Sequence, residues 1–179
     1  MSSWNLRKQD IRGKCGLLIY SIARRECNSM NNDFEALAKF YGVSIIDFDF
    51  PSKIRGVYQD GVIGINTDVT DPAERRCIIA CEMGRHLMRG YRGIVLTEEQ
   101  ENIIAFYWAV SYIMPLSALI EALKFENKTV TDVAAFLNVT PQFVKTGLAF
   151  YKNSMGSRIF YHNHVIDLEK EIVDYSKVG

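Results

Sequence analysis

The sequence predicts an α+β domain in which a small antiparallel or mixed sheet packs on long helices, followed by a helical C-terminal third. Two observations predict it. Ile54-Arg-Gly-Val-Tyr58 and Val62-Ile-Gly-Ile-Asn66 flank Gln59-Asp60-Gly61, and Asp-Gly is the pair that favours the positive φ angles of a tight hairpin turn. From Pro72 onward, apolar residues recur at helical spacing in two long runs and three shorter ones.

Taken in order, Ile11, Cys15, Leu18 and Ile22 predict a first helix within residues 10–27, weakened by Gly13 and Gly16. Residues 34–41 predict a short second helix ended by Gly42. Ser44 to Phe50 alternates apolar and acidic residues, the pattern of a half-buried strand, and Pro51 stops it. After the hairpin, Asp71 caps a helix over 72–89, with Pro72 at its first position and Glu74 reaching back to the cap. Thr97, with Gln100 three residues on, opens a second long helix that Pro115 interrupts. Helices follow over 116–123, 129–137 and 140–151, then a β-like stretch over 158–166.

Composition narrows the function classes. The 179 residues are 48% hydrophobic and 23% charged, values of a folded globular chain rather than a disordered one. Lys plus Arg equals Asp plus Glu at 21 each, so no global field favours nucleic acid or anionic lipid. No run approaches the roughly 20 apolar residues of a membrane span, and the polar start lacks a signal-peptide core, so a cytoplasmic location is expected. A reducing compartment would leave Cys15, Cys27, Cys77 and Cys81 as thiols. No Ser/His/Asp order and no glycine-rich phosphate loop is present.

The chemistry-bearing stretch is Cys81-Glu-Met-Gly-Arg85 on helix 72–89. A zinc metallopeptidase carries H-E-x-x-H in such a place: two histidines one turn apart bind the metal and the glutamate polarises the attacking water. Four separate elements, Gly56-Val-Tyr58, Gly61-Val-Ile-Gly-Ile-Asn66, Ala80-Cys-Glu-Met-Gly-Arg-His-Leu87 and Ile104-Ala-Phe-Tyr-Trp-Ala-Val-Ser-Tyr-Ile-Met-Pro115, occur in one order. Together they resemble the ImmA/IrrE family of metallopeptidases. The resemblance implies a zincin-like fold and a metallopeptidase-like domain over 1–115, with a helical C-terminal region over 116–179. It places the three metal positions on Cys81, Arg85 and Ile104, and the general base on Glu82.

Two of those positions cannot coordinate: a guanidinium stays protonated at physiological pH, and isoleucine has no lone pair. No metal or cofactor is therefore expected. Glu82 is expected to pair with Arg85 or a neighbouring arginine, and Tyr58, Glu82, Arg85 and His86 to line a binding cleft. A register-shifted metal site from Glu82 and His86, with Cys81 adjoining, is the alternative, and it would require zinc; Glu98, Glu99 and Glu101 precede Ile104 on the same helix, but no third strong ligand is evident there. The resemblance implies a helix-turn-helix transcriptional repressor of a prophage or other mobile element as partner, bound by a degenerate protein or cleaved by an active one. Tyr161-His-Asn-His164 would put two histidines on one strand face, read as solvated surface rather than metal site. Residues 129–152 have the cadence of a helix-turn-helix, a second alternative as a DNA-binding regulator. With only Lys145 and Lys152 on its second helix, packing or partner recognition is favoured and direct nucleic-acid binding is not expected.

Overall fold

The computed structural model describes residues 33–51, 53–89, 96–124, 129–169 and 174–177; the helix expected within 10–27, with Cys15 and Cys27, lies outside the described residues. The elements are α1 (Phe34–Phe40), β1 (Ser44–Phe48), β2 (Gly56–Gln59), β3 (Val62–Asn66), α2 (Pro72–Arg89), α3 (Glu98–Ile113), α4 (Leu116–Leu123), α5 (Val130–Leu137), α6 (Pro141–Met155), β4 (Arg158–Tyr161), β5 (His164–Asp167) and β6 (Asp174–Lys177). The α+β class holds. Strands β1, β3 and β2 form a mixed sheet in that order, β1 parallel and β2 antiparallel to the central β3.

Local chemistry explains the boundaries. The Asp33 carboxylate accepts the N–H groups of Glu35 and Ala36 at the start of α1, and Gly42, at φ +68°, lets the chain turn into β1. Asp60 and Gly61 take φ +48° and +84° in the hairpin turn. The Asp71 carboxylate accepts the Ala73 N–H at 2.9 Å. Glu74, however, does not reach back to the cap. Both of its oxygens are taken by the Arg55 guanidinium at 2.8 Å, because the chain entering β2 passes beside the helix start and a two-pronged charged pair outweighs a single cap bond. Thr97 and Gln100 close a reciprocal capping box on α3.

One expectation about β1 is reversed. Its alternation is real, but Ile46 and Phe48 remain 46% and 51% exposed. In register, Ile45 and Asp47 lie beside Ile63 and Ile65, and the latter two are fully buried under the helices. Neighbouring partners share a face, so Asp47 points to the helix side, where it pairs with Arg75 of α2. Ile46, Phe48, Val57 and Val62 are left on the open face, with Phe50 folded over Gly64.

Helices α2 and α3 pack against each other at unusually short range. A Cβ at Gly84 would sit 2.5 Å from the Ala105 carbonyl oxygen, so only glycine allows this approach. Helix α3 buries Trp108, Tyr112 and Ile113. At its end Pro115 starts α4, and the Met114 carbonyl at the break accepts the Tyr151 hydroxyl at 2.7 Å, which ties α6 to the break. One apolar cluster runs from Phe34 to Leu168. The β-like stretch expected over 158–166 forms strands β4 and β5, and β6, which was not expected, completes a second three-stranded antiparallel sheet β4-β5-β6. His162 sits in the β4–β5 turn at φ +51°, so it does not share a strand face with His164. No single helix among the described residues is long and apolar enough to cross a membrane.

Two glycines give a contrast that tests this packing. Gly84→Ala drives a methyl into backbone and is expected to destabilise by about 1–3 kcal/mol in denaturant unfolding. Gly147→Ala meets the tip of the flexible Met114 side chain at 2.5 Å, and its loss should be well under half as large.

Candidate functional site

The site forms where α2 crosses the edge strand β2 and meets α3. Ile78 lies directly over Gly56, and the missing side chain there lets the helix settle on the strand. One turn and more along, Glu82 is 6% exposed. The Tyr58 backbone N–H hydrogen-bonds its carboxylate. Its Oε2 lies 3.0 Å from Arg85 Nε, an i,i+3 ion pair whose two atoms are buried and are not aligned as a hydrogen bond. Burial pushes the Glu82 pKa up, and the charges of Arg85 and Arg89 with the Tyr58 N–H pull against that without overcoming it.

Tyr58 and His86 form the second pair. The Tyr58 hydroxyl accepts the Gly61 N–H at 3.1 Å and lies 2.8 Å from His86 Nδ1. That contact engages Nδ1, with the direction of the bond set by the ring's tautomer. Desolvation lowers the His86 pKa, in keeping with a neutral ring. Tyr41 and Tyr58 both meet this ring edge-on. Arg89 lies over the Tyr58 ring at 5.5 Å, with its Nε 3.8 Å from Glu101 of α3. Sequence reading missed Tyr41 and Arg89, and considered Glu101 only as a metal donor. Arg89 was open to discovery, since 82, 85, 86 and 89 fall on one helical face.

The remaining positions are set by the packing of α2 on α3. The Arg89–Glu101 and Gly84–Ala105 approaches fix an antiparallel register, and that register places Ile104 level with Arg85. Ile104 is 6% exposed and belongs to the core. Phe106 packs on Phe143 of α6, ring centres 5.3 Å apart. Cys81, one turn before Arg85, is a free thiol whose pKa is pushed up to about 12, chiefly by burial and then by the Glu82 charge. Cys77 is also free, 4.0 Å from the Thr140 hydroxyl, so the C-x3-C pair is two free thiols, Cys77 buried and Cys81 partly buried. Tyr58, Glu82, Arg85 and His86 are brought together, while Glu98 and Glu99 stay exposed at the start of α3. Among the described residues no three His, Cys, Asp or Glu side chains converge as a metal-binding group.

Glu82 gives a pH-dependent expectation. A folded pKa raised above the ordinary carboxylate value, 4.5, means that stability is greatest while the group is protonated and falls as pH rises through that range. Glu82→Gln keeps an acceptor for the Tyr58 N–H and removes the buried charge. The melting temperature should rise by a few degrees at pH 7, and the gain should vanish near pH 4. A loss of stability at pH 7 would mean that Arg85 outweighs the burial.

Residues 38–148, more than half of the chain, match the peptidase family described as the IrrE N-terminal-like domain. No curated protein matches the chain. The family match covers the sheet, α2, α3 and the helices through most of α6, the same elements that assemble the Tyr58–Glu82–Arg85–His86 cluster, and the chain belongs to the IrrE N-terminal-like family.

Proposed function

We propose that this chain is a metal-free member of its family, a pseudoenzyme that acts by binding a protein partner. The observation that carries the reading is the Glu82–Arg85 pair at 3.0 Å. A zinc site of this kind needs three donors and a water. Here the donor set does not fit the metal. Arg85 brings a fixed cation to the second position, Ile104 brings hydrocarbon to the third, and the Cys81 thiol at the first is far from ionised at neutral pH, with a pKa of about 12. Glu82, which would polarise a metal-bound water, instead faces a guanidinium.

The partner favoured by family membership is a helix-turn-helix transcriptional repressor of a prophage or other mobile element, with relief of repression as the outcome. The groove beside β2 offers it Tyr58, Arg85 and His86, side chains that are only partly buried. The alternative is an active zinc endopeptidase that uses Cys81, Glu82 and His86. Against it stands His86 itself, whose Nδ1 is already engaged by the Tyr58 hydroxyl at 2.8 Å.

Elemental analysis of protein purified without chelators is expected to find well under a tenth of an equivalent of zinc; a full equivalent, lost on Cys81→Ala, would establish the endopeptidase instead. Combining Cys81→His, Arg85→His and Ile104→Glu should create zinc binding in the micromolar range or tighter, followed by titration against a chelating dye. For the partner, co-purification with the repressor encoded beside this chain should be lost in Tyr58→Ala/Arg85→Ala, with the repressor recovered intact from the wild-type complex. Recovery of cleaved repressor, or none at all, counts against the binding role.

A further inference from the structure

The helix pair α5–α6 takes no part in the cleft, and its solvent face has a chemistry of its own. Thr129 and Thr140 cap the two helices, and between them Asn138, at φ +51° and ψ +55°, makes the turn in the left-handed region. That is the geometry of a helix-turn-helix, in which the second helix presents its outer face. In α6, Phe143, Val144, Gly147, Phe150 and Tyr151 are buried, and Gly147 lies against Val110 and Met114 of the core. The opposite stripe, Gln142, Lys145, Thr146, Ala149, Lys152 and Asn153, is exposed along its length.

Counting lysines argues against nucleic acid; their placement argues for it. Residues 133–166 contain no Asp or Glu, in a chain whose charges otherwise balance. Neither Lys145 nor Lys152 makes an ion pair among the described residues. They stand two turns apart on one face, about 10 Å along the axis. Gln142 and Thr146, joined by a 3.2 Å hydrogen bond, occupy the N-terminal end that such helices turn to base edges. A 15-residue helix with a roughly 10–12 Å diameter fits a major groove about 12 Å wide.

We propose that the exposed face of α6 is a weak duplex-DNA contact, with Lys145 and Lys152 on phosphates and Gln142 and Thr146 toward the groove. The contact is independent of the cleft. It would hold the chain close to a repressor already seated on its operator.

The test uses the full chain and a fluorescein-labelled 20-base-pair duplex, read by anisotropy at about 25 to 200 mM salt. Saturable binding is expected at low salt within about 100 μM, the range of non-specific contacts, with log K falling linearly against log salt. Lys145→Glu/Lys152→Glu should weaken binding at least about tenfold and flatten the salt slope by about one to two units. Lys39→Glu, on exposed α1, removes a similar charge far along the chain and should change affinity less than about twofold. Circular dichroism checks that each variant keeps its helices, which these exposed sites do not support. No saturation at 25 mM salt overturns the proposal, as does a double variant that binds like wild type. Loss of the contact with the protein partner still retained leaves the cleft reading untouched.

Discussion

The approach of α2 to α3 at Gly84 is the constraint on which the site depends. Where a methyl would come within 2.5 Å of the Ala105 carbonyl, the two backbones lie closer than any pair of side-chain-bearing residues allows. The contact sets the register of the helices. It brings Arg89 to Glu101 at one end and Ile104 level with Arg85 in the middle, and it seals Glu82 away from solvent. The second constraint is similar in kind: Gly56 lets Ile78 lie on the edge strand, which carries the Glu82 carboxylate to the Tyr58 N–H. Two small residues thus place a carboxylate, a guanidinium, an imidazole and a phenol in one hollow.

Within the hollow, the hydrogen-bond network leaves little freedom. The Tyr58 hydroxyl, the Gly61 N–H and His86 Nδ1 form one chain of donors and acceptors, and the imidazole is held edge-on by two tyrosines. Glu82 receives a strand amide on one oxygen and a cation on the other. Each group that could act as a base therefore has a resident partner. In the proposed reading, such a hollow recognises a surface brought to it through Arg85 and the tyrosine rings.

Much of this was legible in the sequence because the signals were local. The caps at Asp71 and Thr97, the Asp-Gly turn and the span of α2 follow from short-range chemistry that tertiary packing has no reason to overrule. What was misread depended on neighbours distant in the chain. Alternation in β1 cannot say which face is covered, and only the register against β3 turns Asp47 toward Arg75. Glu74 had a sound local use at its cap, yet Arg55, nineteen residues away, offered a stronger one. In the second sheet only β6, four residues that pair with β5, was too short to declare itself, and His162 moved off the strand because the turn needed a residue at positive φ. In the site, Cys81, Glu82 and Arg85 were readable from the resemblance to the family's H-E-x-x-H helix, whereas Tyr41 comes from another element and has no motif.

In the metal-free reading proposed above, charge accounts for the residues that stand in the hollow. In the family pattern, zinc contributes two positive charges, its glutamate ligand and the general base one negative charge each, and the two histidines none. Taking the metal from that set would leave two buried carboxylates facing each other, an arrangement that one of them escapes only by staying protonated. Here hydrocarbon stands at the ligand carboxylate, Ile104, and a cation stands at the second histidine, Arg85. The remaining pair, Glu82 and Arg85, again sums to zero. Either change alone would leave the hollow charged: with Arg85 and a glutamate at 104 there would be two anions to one cation, and with Ile104 and a histidine at 85 a lone buried carboxylate. A buried carboxylate without a partner is strongly destabilising, so the two substitutions form one coupled unit. In the proposed reading, their combination replaces an exchangeable dication with a tethered one-charge counterion.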